Sequence, residues 1–247
     1  RPATVTLKNK ILNGGDLKVT VTPIYSVPTL QTVGEADPKQ NGLTATATAS
    51  TLKMYKVDNS KITLLATAIG GSSVSDAKGV TITGGNTYNT ENTYTIVMAK
   101  DATEGSFKIV NKSDPDKIHT VTVQALSTAI TATNIASLPM SPDNSQNSTA
   151  YSPEGFKASV TSWGDGSAWF DLATSDFTKG NASITTKVKS TIGNIGIKTA
   201  TVTLVNNIRG GENKTFTVTP TLTAPTTAFV SSSPTQNTYT ANATTMK

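Results

Sequence analysis

The sequence predicts an all-β protein made of tandem sandwich domains. Three observations carry this. Apolar and polar residues alternate with period two in many short runs. Gly, Asn, Asp and Pro separate those runs. One segment recurs about every one hundred residues, the size of one sandwich domain.

The chain has 247 residues, enough for about two ordinary domains. Hydrophobic residues make up 36% and charged residues 15%. The charged share is well below the roughly 25% of ordinary soluble domains. Thr fills the gap, at roughly one residue in five. Its β-branched side chain suits a pleated, half-exposed surface.

The repeat sets the organisation. Residues 3–23, ATVTLKNKILNGGDLKVTVTP, align without a gap on residues 200–220, ATVTLVNNIRGGENKTFTVTP. Val5 falls on Val202, Leu7 on Leu204, Asn9 on Asn206, Ile11 on Ile208, Gly14 on Gly211, Val21 on Val218 and Pro23 on Pro220. A weaker copy, GSFKIVNKSDPDKIHTVTVQA, spans residues 105–125. There Phe107 takes the place of Val5, Ile109 of Leu7, Asn111 of Asn9, Val121 of Val19 and Val123 of Val21. A second piece, DPKQNGLTATAT at 37–48, matches SPTQNTYTANAT at 233–244. The first and third copies of the hairpin resemble each other more than the middle one. This suggests two domain types in alternation.

Each copy reads as two strands and a turn. In Thr4-Val5-Thr6-Leu7 and Val19-Thr20-Val21-Thr22 one face is apolar and the other is Thr. Asn13-Gly14-Gly15-Asp16, Asp114-Pro115-Asp116 or Gly210-Gly211-Glu212-Asn213 stands between the strands. Pro23 to Pro28, or Pro220 to Pro225, follows; Pro cannot donate to a ladder, so it ends the strand and stiffens a linker. These prolines place the boundaries. Residues 1–28 form the closing hairpin of a preceding domain. Complete domains span 29–126 and 127–223, each about 95–100 residues long. Residues 224–247 start a further repeat. The chain is then a window cut from a longer array; its start at Arg1-Pro2 fits either a fragment or a removed signal.

Other runs alternate in the same way: 43–57, 61–69, 79–83 and 92–99, then 156–162, 168–173 and 182–190. No segment has a capped helical period, although short helical turns are expected near Ser175-Asp176-Phe177 and Asp101-Ala102.

Tandem Thr-rich domains with a closing TVTVTP strand and a Pro-bearing linker resemble prokaryotic extracellular Ig-like repeats. In style they are similar to surface-layer (S-layer) proteins and large surface adhesins. The resemblance implies tandem Ig-like β-sandwiches joined by short Pro/Thr linkers. It implies a structural component of a prokaryotic cell surface, an S-layer or similar self-assembling envelope protein, at an extracellular cell-wall location. The alternative it implies is an adhesin or carbohydrate-binding segment. No S-layer-homology anchoring motif is present, so attachment to a wall polymer is not carried over.

Chemistry-bearing residues are sparse, and no enzyme is expected unless a catalytic domain lies outside this window. His119 is the one histidine, too few for a zinc site or a Cys-His pair, and is expected exposed at a strand edge. Ser75-Asp76-Ala77-Lys78 matches S-x-x-K, but it is expected to lie in a GGSSVSDAKG turn and lacks partner motifs. The absence of Cys excludes disulfides and thiolate metal sites, and is compatible with export. No cofactor is implied; calcium is the one ion considered, with Asp165, Asp171, Asp114 and Asp116 as candidate ligands. Asn111, Asn147, Asn181, Asn213 and Asn242 begin N-x-S/T sequons and are glycan candidates. Trp163 and Trp169 are candidates for a sugar-stacking platform, weighed against Trp169 or Phe170 packing in a core. Net charge is +5, with Lys spread rather than interleaved with aromatics, so no nucleic-acid partner is expected. No apolar run is long enough to cross a bilayer as a helix. Expected partners are copies of the chain in a lattice or fibre, and anionic envelope polymers.

Overall fold

The computed structural model describes residues 2–162, 169–191 and 198–222. Among them every regular element is a β-strand. The chain divides into two compact units, residues 1–128 with 208–211, and residues 129–207 with those from 212 onward. No described helix is long and apolar enough to cross a membrane.

The first unit opens with an antiparallel two-stranded sheet, β1 (Ala3–Leu7) and β2 (Leu17–Val21). Its sandwich then runs through β3 (Thr29–Thr32), β4 (Gly42–Ala45), β5 (Ala49–Tyr55), β6 (Ser60–Thr67), β7 (Ser72–Lys78), β8 (Val80–Gly84), β9 (Glu91–Met98), β10 (Glu104–Asn111) and β11 (Ile118–Leu126). One sheet has the order β3-β6-β9-β8 and the other β4-β5-β11-β10-β7. Period-two patterning fills the space between them. Ile62, Leu64 and Ala66 point inward from β6; Tyr94, Ile96 and Met98 from β9; Phe107 and Ile109 from β10; Val121 and Val123 from β11. Each fully buried Ile, Leu, Val or Phe stabilises the fold by about 1.5–3 kcal/mol.

The second unit contains β12 (Thr131–Ala132), β13 (Ile135–Pro139), β14 (Ser145–Ser152), β15 (Phe156–Ser162), β16 (Phe170–Leu172), β17 (Asp176–Phe177), β18 (Gly180–Val188), β19 (Ala200–Asn206) and β20 (Lys214–Thr221). Its sheets are β12-β14-β18-β16 and β13-β20-β19-β15-β17. The core includes Phe156, Trp169, Phe170, Ile184, Val202, Leu204, Phe216 and Val218.

The two units share one connectivity. The opening strand starts in the four-stranded sheet, where β3 pairs with β6 and β12 with β14. The chain then crosses to the other sheet, where β5 runs parallel to β11 and β13 parallel to β20. The order β3-β6-β9-β8 facing β5-β11-β10-β7, repeated as β12-β14-β18-β16 facing β13-β20-β19-β15, is the pattern of an Ig-like sandwich. The units differ at sheet edges. β4 extends the first and β17 the second.

Three local expectations are corrected. The run 43–57 is not one strand but a hairpin, β4 against β5. The Thr46 side chain closes the turn by donating to the Ala49 carbonyl (2.7 Å) and accepting from its N–H (3.2 Å), with no Gly or Pro to announce it. The Ser-rich stretch 72–78 is not a turn but edge strand β7, held by β10. Asp176–Phe177 is not helical; it pairs with Phe156 and Lys157 of β15.

Candidate functional site

The gapless alignment of the three hairpins has a direct structural meaning. Val5 stands opposite Val19, Phe107 opposite Val121 and Val202 opposite Phe216, so all three share one register. The aligned asparagine belongs to the turn that sets it. Asn9 Oδ1 accepts from the Ile11 N–H at 2.9 Å, and Asn111 Oδ1 from the Ser113 N–H at the same distance. The backbone N–H groups of Asn9 and Asn206 donate to Asp16 Oδ1 and Asn213 Oδ1, both at 3.0 Å. The turns of the first and third hairpins also place one residue in the left-handed region, Asn13 (φ 63°) and Gly210 (φ 76°). The middle hairpin has Pro115 there, whose ring forbids positive φ, so its turn differs.

The hairpins part company in exposure. Val202, Leu204 and Val218 are fully buried and Phe216 is 1% exposed. Val5, Leu7, Val19 and Val21 are 49, 54, 43 and 54% exposed. The same apolar pattern that makes a core in β19–β20 is open in β1–β2. Leu12 and Ile24, outside the strands, are exposed as well.

The linker after this hairpin is tied to the first sandwich by side chains. Asn111 Nδ2 donates to the carbonyls of Ser26 (3.1 Å) and Ile69 (2.8 Å). His119 lies between Pro28 and Ser50: its Nδ1 is 2.8 Å from the Pro28 carbonyl oxygen and its Nε2 is 2.8 Å from Ser50 Oγ. Donation from Nδ1 to the carbonyl leaves Nε2 to accept from the serine. Burial pulls the His119 pKa below its ordinary 6.5, against an opposing effect of hydrogen bonds to the Pro28 and Ala49 carbonyls. The expected exposed strand-edge histidine is therefore a fully buried one, because the linker folds over it.

Among the described residues the candidate chemical side chains do not converge. Trp169 is fully buried, its ring edge-on to Phe170 and its Nε1 donating to the Lys198 carbonyl at 2.9 Å. It has no face free for a sugar, and Phe170 is buried beside it. Asp171 is exposed and pairs with Lys189 at 3.6 Å. Asp114 caps its own loop, accepting from the Asp116 N–H at 3.3 Å. Among the described residues no three His, Cys, Asp or Glu side chains gather closely enough to hold a metal ion. Asn111 is buried with both amide hydrogens donated. Asn147, Asn181 and Asn213 are exposed. Trp163, Asp165 and Asn242 lie outside the described residues. Ser75 and Lys78 lie on β7, and nearby Asp76 pairs with Lys108 at 2.8 Å, which holds the Asp76 carboxyl below its ordinary value.

The alignment marked Asn9, Asn111 and Asn206 as repeated positions but not as turn-setting ones. The partners of His119 and Asn111 carried no signal at all. Ser26 and Pro28 are bound through backbone carbonyls, which every residue has.

No protein-family model matches the chain, and no curated protein matches its sequence. Several solved structures are similar in fold. The Escherichia coli adhesin FdeC shares 11% identity at a TM-score of 0.44, over 85% of this chain and 71% of that one. The Yersinia pseudotuberculosis adhesin InvE shares 13% identity at 0.26, over 75% of this chain and 60% of that one. Domains 5–6 of the S-layer protein SbsC share 13% at 0.28, over 81% and 98%. At these identities and scores the likeness concerns the sandwich fold and carries no argument about function.

Proposed function

We propose that the chain is a non-catalytic, load-bearing segment of a prokaryotic cell-surface protein built from serial Ig-like modules. It acts in an S-layer or a similar self-assembling envelope, outside the cell. The observation that carries this reading is the closing hairpin present three times in one register, buried in two sandwiches and open in the first copy. Serial modules that each close their own core suit a load-bearing role, and the residue 23–28 linker is hydrogen-bonded to the first sandwich through the Ser26 and Pro28 carbonyls. The partners are copies of the chain, and the net charge of +5 suits anionic envelope polymers. Electron microscopy and sedimentation of the purified protein, with and without calcium, test the reading. Ordered sheets or fibres support it; isolated monomers at high concentration in both conditions overturn it.

A further inference from the structure

We infer that β1–β2 is the closing hairpin of a third Ig-like sandwich, and that the strands covering its apolar face lie on the amino-terminal side of Ala3 in the same polypeptide. This deepens the serial-module reading by naming what occupies the exposed face. The two buried copies show what a hairpin of this register requires. A parallel strand lies beside its second strand, as β5 beside β11 and β13 beside β20. An antiparallel strand lies beside its first, as β7 beside β10 and β15 beside β19. The inward residues close against the opposite sheet in one core with it, as Val202, Leu204, Phe216 and Val218 do with Ile184 and Val188 of β18. Among the described residues β1 and β2 pair only with each other, and Val5, Leu7, Val19 and Val21 stand open.

The occupant is of the second unit's type. The turn of β1–β2 has the same left-handed position as that of β19–β20, and Asp16 caps it as Asn213 does. The middle hairpin has neither feature. The occupant is in the same polypeptide because β10–β11 and β19–β20 are each the last two strands of their own sandwich in chain order. A second copy offers no vacancy, since its own β19–β20 fills that place.

The test uses the full chain and one fusion. Residues 129–199 are placed directly before Ala3 of the chain, reproducing the connection that precedes Ala200. Amide hydrogen exchange is read at Val5, Leu7, Val19 and Val21. These amides should be labile in the chain alone and at least about 100-fold more protected in the fusion, as for core strands. A fusion carrying Val5→Thr and Val21→Thr should lose that gain. Absence of protection in the unmodified fusion overturns the inference. So does equal protection in the Thr fusion. Protection in the chain alone, rising with concentration alongside a dimer mass, assigns the face to a second copy and also overturns it. Sheet or fibre formation is scored separately, so failure here and failure of the envelope reading are distinguishable.

Discussion

The Nδ1 atom of His119 lies 2.8 Å from the carbonyl oxygen of Pro28. This contact fastens the linker to the sandwich with the chain's single histidine. The imidazole is fully buried and its pKa is lowered, chiefly by desolvation.

Stability therefore depends on pH in a defined direction. The unfolded chain takes up a proton on His119 near pH 6.5, and the folded chain resists doing so. The contribution is complete above that pH and is lost as pH falls through the lower folded value. Urea midpoints measured at about pH 7.5 and about pH 5 should differ more in the parent protein than in His119→Gln. Equal pH dependence in the two would show that the ring does not titrate in this way.

Asn111 joins linker, loop and turn through four hydrogen bonds, to the Ser26 and Ile69 carbonyls and from the Ser113 and Asp114 N–H groups. Asn111→Ala leaves those groups without this partner in a part-buried setting and should destabilise the first unit by about 2–4 kcal/mol. Asn206→Ala removes an exposed bond to the Glu212 carbonyl and should cost about 1 kcal/mol. Chemical denaturation monitored separately for each unit gives both values.

Val5 and Val202 are aligned residues in opposite environments. Val202→Thr puts a hydroxyl into the core and should cost about 1–3 kcal/mol. Val5→Thr, at an open face, should stay within about 0.5 kcal/mol. A comparable loss at Val5, by thermal unfolding of the isolated chain, would mean the hairpin is already packed.

Trp169→Ala should cost about 3–5 kcal/mol, since it empties the largest side-chain site of the second core and leaves the Lys198 carbonyl without its indole donor. Its signature is loss of second-unit stability in calorimetry. A glycan-binding defect in a fully stable Trp169→Ala protein would instead place the ring at a binding surface.

Much of the fold was legible because period-two patterning and burial are the same information in a sandwich. Ile62, Leu64 and Ala66, or Phe216 and Val218, announce an inward face wherever they occur. β7 escaped because an edge strand half-covered by its partner has little apolar demand, and Ser72-Ser73-Val74-Ser75 meets it. The β4–β5 turn escaped because a Thr hydroxyl replaces the usual Gly. Site residues were less legible. Trp169 and His119 look alike whether buried or exposed until distant strands and the linker close over them.

The sequence by itself determined most inward strand faces and the shared hairpin register, because each depends on local spacing. Only the tertiary structure decided which copies are covered. Val5 and Val202 sit in the same local sequence, and burial belongs to whatever packs opposite, which no local segment encodes.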